Sequence, residues 1–316
     1  MYIDYLRVSV TDRCNLRCIY CNPLGDYGLI KRDEILTFEE IHRIVGLFAQ
    51  CGISRVRLTG GEPLVRKNIT SLIEKLASIT AVNEITLTTN GVLLEQSADE
   101  LKTAGLNRVN VSVDSLDRER YKFITGCDLL EDVKKGIRRS IEVGLTPVKI
   151  NTVVLRGINE QDITALAQLT LEMPAAVRFI EYCPTDKNVE PDVFFVPSSQ
   201  VRRSIEDRFG PLMAAASEGG GPAEYFKIRD SVGCIGFISG RSTFFCSSCN
   251  RLRLTSDGKV KPCLYSAYTY NVKELVRSGA DDEQVLTFLR RIIGSKSNFT
   301  RLNSFIEGFS MCSVGG

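Results

Sequence analysis

The sequence predicts an α/β fold, a partial (βα)6 TIM-type barrel followed by a smaller C-terminal α+β subdomain. Short β-branched runs alternate with amphipathic stretches over the first two-thirds of the chain, which indicates a parallel sheet with crossover helices. Polar and apolar residues alternate within the predicted strands, so the two faces of the sheet differ. After Phe209 the pattern changes, and a glycine-rich connector (214–224) leads into the last third. We therefore expect domains at 1–212 and 213–316.

The predicted elements follow one another as six βα units. Strands are expected at 5–10, 55–59, 84–88, 108–113, 147–154 and 176–182. Helices are expected at 37–50, 66–79, 94–104, 129–143, 160–173 and 198–208. Parallel strands joined by helices wind right-handedly, and six units fall short of the eight of a closed barrel. The last third predicts hairpin-like strands over 225–270 and a helix over 282–293.

The alternation within the strands indicates a polar concavity. Parallel strands that helices cover on both faces normally read as continuous apolar runs, and these do not. The polar face collects Arg7, Ser9, Thr11, Arg55, Arg57, Thr59, Glu84, Thr86, Thr88, Asn90, Asn110, Ser112, Asp114, Lys149 and Asn151. Five such strands in succession predict a wet, ligand-filled lumen, and they favour a partial barrel over an open doubly wound sheet.

Composition excludes several functional classes. A net charge of +2 over 316 residues gives no general basic field for nucleic acid. The start of the chain lacks a signal-peptide core and no apolar run of membrane-spanning length follows, so we expect a cytoplasmic protein without a membrane partner. The single histidine, His42, falls in a predicted helix, which argues against Ser-His or Cys-His catalysis. Eleven cysteines in a reducing compartment indicate metal binding.

The first cysteine set, Cys14, Cys18 and Cys21, follows the first predicted strand with C-x3-C-x2-C spacing. A 4Fe–4S cluster normally takes four cysteines, so three adjacent thiolates predict a cluster with one open iron. The alternative is a structural zinc site completed by a distant cysteine.

The second cysteine set is Cys246, Cys249 and Cys263. A zinc site completed by Cys234 is one interpretation, and a second open iron–sulfur cluster is the other. Arg251 and Arg253, shortly after Cys249 and before Cys263, point to the same side of a strand, and guanidinium groups suit phosphate oxygens.

Two motifs together resemble the radical S-adenosylmethionine (SAM) superfamily. They are the first cysteine set with Tyr20 before its last cysteine, and the Thr59-Gly60-Gly61-Glu62-Pro63 turn after the second strand. Over essentially the whole chain the sequence further resembles the GTP 3′,8-cyclases of molybdenum cofactor biosynthesis. The supporting segments are 6–14, 56–64, 88–91, 110–117, 148–153, 178–181, 245–253 and the terminal Gly315-Gly316.

The resemblance implies a role for each site residue. Cys14, Cys18 and Cys21 would hold one 4Fe–4S cluster and Cys246, Cys249 and Cys263 a second, whose open iron accepts guanine. SAM would contact Tyr20, Gly61, Glu62, Ser112 and Cys183. GTP would contact Arg7, Arg57, Thr88, Lys149, Arg251, Leu252 and Arg253. Arg251, Arg253, Gly315 and Gly316 would take part in catalysis.

The implied activity is that of a lyase. A 5′-deoxyadenosyl radical would abstract H3′ of GTP, and C3′ would attack guanine C8, giving (8S)-3′,8-cyclo-7,8-dihydroguanosine 5′-triphosphate. A flavodoxin-like one-electron donor and a downstream cyclic pyranopterin monophosphate synthase are the implied partners, and a homodimer is left open. Two residues depart from the family pattern: Cys183 replaces the usual Met, and Asn22 follows Cys21.

Two other functions stay open on the residues alone. A radical SAM enzyme that acts on a peptide would need a groove for the peptide in place of converging cations. A zinc-containing nucleic-acid-binding protein would need a basic surface with interleaved aromatic residues, which the near-neutral charge argues against.

Overall fold

The structure is a computed structural model that describes residues 2–21, 29–184, 192–216, 221–243, 246–299 and 311–315. Its first six strands are β1 (Tyr5–Ser9), β2 (Arg55–Thr59), β3 (Glu84–Thr89), β4 (Arg108–Ser112), β5 (Val148–Val154) and β6 (Ala175–Glu181). The helices among and after them are α1 (Phe38–Gln50), α2 (Ile69–Ala77), α3 (Leu94–Thr103), α4 (Arg118–Thr125), α5 (Leu130–Glu142), α6 (Ile163–Glu172) and α7 (Ser198–Phe209). The predicted βα alternation is confirmed.

The last third adds short elements. Its strands are β7 (Met213–Ala214), β8 (Glu224–Lys227), β9 (Cys234–Ile238), β10 (Arg251–Leu254), β11 (Lys259–Lys261) and β12 (Tyr270–Asn271). Its helices are α8 (Val272–Arg277), α9 (Asp282–Ser295) and α10 (Met311–Val314). Among the helices described, none has the length and apolarity needed to span a bilayer.

All of these strands belong to one sheet that is not closed, as the predicted partial barrel requires, in the order β12-β11-β10-β1-β2-β3-β4-β5-β6-β9-β8-β7. Strands β1 to β6 are parallel neighbours in chain order, as the six predicted units require. The last third extends this sheet at both edges, because β10 pairs in parallel with β1 and β9 pairs in parallel with β6. The predicted hairpins are confirmed in the antiparallel pairs that continue outward from β9 and β10.

The two faces of the sheet have opposite character, as the alternation predicts. Apolar strand residues such as Leu6, Val56 and Val111 are fully buried with the helices in one extended core. The other face carries buried polar side chains, among them Asn110 at 0% exposure and Lys149 at 3%. Burying polar and charged groups is costly without partners, so this face is built to meet other polar groups.

The predicted helices agree with the structure to within a few residues, but helix α4 was missed. It begins after Asp117, whose side chain accepts a hydrogen bond from the Arg120 backbone N–H, and ends at Gly126 in the left-handed conformation. These are ordinary start and stop signals, but the eight residues between them are largely polar and lack a clear apolar stripe. Helix α8 was missed as well, because it has only six residues.

Candidate active site

The polar face of the sheet encloses a cavity of about 410 Å³. All six cysteines of the two sets line it, so the fold brings the N-terminal and C-terminal sets to one site. Between them, strand residues contribute a group of cations: Arg7, Arg57, Arg108, Lys149, Arg178, Arg251 and Arg253. A pocket that combines converging polar groups with potential metal ligands is the expected form of an active site.

The loop with the first cysteine set is held by helix α4 and by the end of β3. The backbone N–H groups of Arg17 and Ile19 donate to the carbonyls of Thr125 (2.8 Å) and Ile124 (3.0 Å) at the end of α4. The Asn90 side-chain amide lies 3.8 Å from Cys14 Sγ. The missed helix is therefore part of the support of the site.

The turn after β2 is locked against the segment that leads into Cys14. The backbone N–H of Gly61 donates to the Thr11 carbonyl (2.7 Å), and that of Glu62 donates to the Arg13 carbonyl (2.8 Å). A Cβ atom at Gly60 or Gly61 would overlap backbone atoms of Thr11 or Arg13. Glycine is thus required at these two positions because the turn packs directly against the backbone of the segment that leads into Cys14. Gly61 also lines the cavity.

Glu62 joins this turn to the end of β3. Its carboxylate accepts hydrogen bonds from the Leu64 N–H (3.0 Å), the Thr89 hydroxyl (2.8 Å) and the Asn90 N–H (2.6 Å). Burial raises the pKa of Glu62 to about 7 despite these donors, because the side chain is only 1% exposed. The Glu62 carboxylate therefore belongs to a hydrogen-bond network that fixes the turn after β2, next to the residues that the sequence predicts to contact SAM.

Tyr20 is fixed by a buried carboxylate. Its hydroxyl donates to Asp114 Oδ2 at 2.6 Å, while the backbone N–H of Val153 donates to Oδ1 at 2.8 Å. Burial raises the pKa of Asp114 to about 6. Ser112 and Cys183, the other predicted SAM contacts, also line the cavity, and Cys183 packs close to Gly240.

A row of three arginines crosses the sheet at one level, and we call Arg253, Arg7 and Arg57 the cation row. The register aligns Arg7 with Arg253 on β10 and with Arg57 on β2. Neighbouring strands lie about 4.8 Å apart, so these side chains leave the sheet side by side. Burial, followed by the charges of Arg253 and Arg57, lowers the pKa of Arg7 well below its ordinary value.

The cation row continues into a hydrogen-bonded network. Asn110, with its amide oxygen turned toward the guanidinium groups, accepts from Arg178 Nη2 at 2.7 Å and also from Arg57 Nη1. Arg57 Nε donates to Thr86 Oγ1 at 3.1 Å. Burial lowers the pKa of Arg57 to about 10, and burial with the nearby Arg251 charge does the same for Arg253. An anion in the cavity would relieve this crowding of positive charge.

Thr88 and Leu252 differ in what they offer to a ligand. The buried Thr88 hydroxyl lines the cavity and finds no hydrogen-bond partner within the described part of the chain. The Leu252 side chain is fully buried in the apolar core, so any contact with a ligand in the cavity falls to its backbone.

The second cysteine set is surrounded by cationic groups. Burial alone would raise the pKa of the Cys249 thiol, but the positive charges of Arg251 and Lys296 hold it below the ordinary value. Lys296, which follows α9, lies 3.6 Å from Cys249 Sγ. Low thiol pKa values favour the thiolate, which is the form that binds metal.

The C-terminal tail enters the same site. Arg253 Nη1 donates to the carbonyl of Gly315, which has φ +78° and lies against Thr59. Gly315 therefore lies beside Arg253, with which the resemblance groups it in catalysis. Gly316 and Asn22, the residue after Cys21 that differs from the family pattern, lie outside the described residues.

Several cavity residues received no role in the site from the sequence, among them Arg108, Asp114, Arg178 and Lys296. Asp114 and Arg178 stand in predicted strands or directly after one, so their position on the polar face was a usable signal. Lys296 lies 33 residues beyond Cys263, outside any recognisable motif, and only the fold brings it to the site.

The fold and the first cysteine set define a radical SAM protein. The family model of the radical SAM superfamily matches residues 8–170, and the model described as Molybdenum Cofactor Synthesis C matches residues 175–301. Solved structures agree on the fold: Streptococcus suis SuiB has a TM-score of 0.65 at 16% identity, covering 94% of this chain and 68% of its own.

Curated relatives narrow the class. A protein from Thermodesulfovibrio yellowstonii named GTP 3′,8-cyclase is 46% identical over 284 residues, 90% of this chain and 88% of the relative. One of the same name from Pelotomaculum thermopropionicum is 42% identical over 99% of this chain and 98% of the relative. The chain belongs to the GTP 3′,8-cyclase family of the radical SAM superfamily.

The cysteines fit the cofactors of this family. Each set places three cysteines on the wall of one cavity, and three thiolates are the donor set of a 4Fe–4S cluster with one open iron, although within the described residues the thiols are not gathered into a ready-made metal site. The Gly60-Gly61 turn lines the same cavity as the first set, where the sequence predicts the SAM contact of Gly61.

Proposed function

We propose that this protein is a GTP 3′,8-cyclase, a lyase that converts GTP into (8S)-3′,8-cyclo-7,8-dihydroguanosine 5′-triphosphate in molybdenum cofactor biosynthesis. The observation that carries this proposal is the single cavity that joins both cysteine sets with the cation row. Zinc in a nucleic-acid-binding protein would not require buried arginines beside the metal ligands. A triphosphate does require buried arginines, because its negative charge must be neutralised in a cavity where water is largely excluded.

The two cysteine sets would hold the two clusters. Cys14, Cys18 and Cys21 would bind the first, and Cys246, Cys249 and Cys263 the second. When bound, the first cluster and SAM supply a 5′-deoxyadenosyl radical. Around them the chain positions the reactants, and the SAM contacts we assign are Tyr20, Gly61, Glu62, Ser112 and Cys183. Of these, Tyr20 is oriented by Asp114, and Glu62 also links the turn after β2 to the end of β3.

The cations would bind the triphosphate. Arg7, Arg57, Lys149, Arg251 and Arg253 converge on the cavity, and hydrogen bonds between charged groups contribute about 1.5–3 kcal/mol each. Such contacts bind substrate and transition state alike, so they set affinity more than the rate of the chemical step. Their value for catalysis is orientation, because they fix the ribose relative to the two clusters.

The remaining assigned contacts surround the nucleoside and the tail. Thr88 supplies a hydroxyl that has no partner in the described residues, and Leu252 supplies backbone only. Arg253 already donates to the Gly315 carbonyl, so the Gly315-Gly316 tail and the phosphate site share one guanidinium group. We assign Arg251, Arg253, Gly315 and Gly316 to the positioning of GTP for reaction.

The proposed setting of the enzyme is the cytoplasm. A flavodoxin-like protein would donate the electron, and a cyclic pyranopterin monophosphate synthase would consume the product. Both follow from the proposed reaction, which needs a low-potential electron and yields a nucleotide that requires further rearrangement.

An anaerobic assay with GTP, SAM and dithionite tests the proposal. Because the product is an isomer of GTP, chromatography must accompany the mass measurement. With GTP deuterated at C3′, the 5′-deoxyadenosine formed is expected to carry the deuterium. A variant with Cys246, Cys249 and Cys263 changed to Ala is the matched control, and it is expected to lose the product. Loaded wild-type enzyme that forms 5′-deoxyadenosine without deuterium would contradict the proposal.

A further inference from the structure

Lys296 is a buried lysine that joins two parts of the second cysteine set. It is 3% exposed, and its Nζ donates to the Pro262 carbonyl at 2.5 Å and lies 3.6 Å from Cys249 Sγ. Pro262 directly precedes Cys263, so one ammonium group contacts the segments of two of the three cysteines. It also lines the cavity.

This ammonium group has no carboxylate partner within the part of the chain that the structure describes. None of the ion pairs among the described residues involves Lys296. A buried cation without a carboxylate is unfavourable, and the Cys249 sulfur 3.6 Å away would compensate it as a cluster-bound thiolate.

A role for Lys296 in ending helix α9 does not account for its contacts. Lysines near helix C-termini normally reach the last carbonyls of their own helix. Lys296 instead reaches across to Pro262 and Cys249, which stand 34 and 47 residues earlier in the chain. Its contacts therefore concern the second cysteine set more than the helix that carries it.

We propose that Lys296 is a positioning residue for the second cluster, holding the Cys249 and Cys263 segments together and stabilising the reduced cluster by its charge. This inference rests on the proposed function to the extent that Cys246, Cys249 and Cys263 hold a cluster. Hydrogen bonds to cluster sulfurs and nearby charge are among the factors that set a cluster potential. A reduced cluster is more negative, so a cation beside it raises the potential.

The substitution Lys296→Met removes the charge and the donor while keeping an unbranched side chain of similar length. In the full chain with Cys14, Cys18 and Cys21 changed to Ala, only the second cluster remains to be titrated. A mediated titration with dithionite as reductant, followed by electron paramagnetic resonance, gives its potential. We expect reduction to become less favourable by about tenfold, a shift of about 59 mV to more negative potential for a one-electron couple.

Two controls separate this role from a general loss of structure. Lys296→Arg keeps a charged donor and is expected to stay close to the parent potential. Lys296→Met in the chain with Cys246, Cys249 and Cys263 changed to Ala is expected to leave the potential and iron content of the first cluster unchanged. If Lys296→Met loses the second cluster while the first is retained, restoration of iron by Lys296→Arg supports the positioning role.

Several results would overturn the inference. They are an unchanged potential in Lys296→Met, equal shifts in both clusters, or an Arg variant that behaves like the Met variant. A different result bears on the function itself: if the chain without the first cysteine set holds no iron–sulfur cluster at all, the assignment of the second cluster fails, and this inference fails with it. Iron and sulfide analysis before titration distinguishes the two cases.

Discussion

Gly61→Ala tests how the turn after β2 supports the first cysteine set. An added Cβ would lie 2.5 Å from the carbonyl carbon of Arg13 and 2.9 Å from the carbonyl oxygen of Asp12. Both neighbours are backbone atoms, so no flexible side chain can move aside. The segment that leads into Cys14 must shift, and the hydrogen bonds from Gly61 to Thr11 and from Glu62 to Arg13 are strained with it.

The structure gives a magnitude for this change. Overpacking a tight site costs about 1–3 kcal/mol. Two backbone hydrogen bonds contribute about 1 kcal/mol each on average. We therefore expect the free energy of unfolding of the apoprotein to fall by about 3 kcal/mol. We also expect the first cluster to be lost or bound weakly, because the displaced segment ends at Cys14.

Urea unfolding of the apoprotein measures the first effect, and iron content in the chain with Cys246, Cys249 and Cys263 changed to Ala measures the second. Gly46→Ala is the matched control. Gly46 lies inside α1, and an added Cβ would meet no atom within 4 Å apart from its chain neighbours and the backbone of its own helix, so alanine there should stabilise the helix by about 1 kcal/mol. Wild-type stability together with full iron in Gly61→Ala would refute the reasoning.

Three further substitutions test the cavity. Arg253→Ala should weaken GTP binding by about 10- to 100-fold, because a hydrogen bond from a charged group to the phosphate is lost. Arg229 is exposed, and Arg229→Ala should leave GTP binding unchanged. Anaerobic calorimetry of the cluster-loaded enzyme measures both affinities. Thr88→Val should weaken GTP binding about fivefold without lowering the free energy of unfolding, and a stability loss would show that the hydroxyl has a structural partner. Because the folded pKa of Glu62 is raised to about 7, its ionisation destabilises the fold as pH rises. From about pH 5 to 8 the apoprotein should lose roughly 3 kcal/mol more stability than Glu62→Gln, and parallel pH profiles would contradict this.

Local sequence patterns predicted most of the barrel. The strand alternation located β1 to β6 to within a residue or two, because burial on one face and polarity on the other leave a signal within five to seven residues. The same signal placed Arg7, Arg57 and Lys149 on the face that forms the cavity. Cysteine spacing and the Gly60-Gly61 turn predicted the part of the site that contains the first cysteine set.

Contacts between distant segments could not be predicted in this way. Nothing in the sequence of β10 indicates that it pairs with β1, so the cation row across three strands emerged only from the register. Lys296 reaches the second cysteine set through the packing of α9. The short polar helix α4 had adequate end signals, but its interior did not distinguish it from a loop.

The pairing of β10 with β1 and of β9 with β6 has a consequence for how this protein can be divided. The last third of the chain supplies the flanking strands of both edges of the six-strand parallel sheet. A fragment that ends at Phe209 would expose two unpaired strand edges, with open N–H and C=O groups that promote association between chains. We expect such a fragment to aggregate on expression. The six-unit region and the last third of the chain should therefore be expressed together, and chimeras with relatives should replace both regions at once.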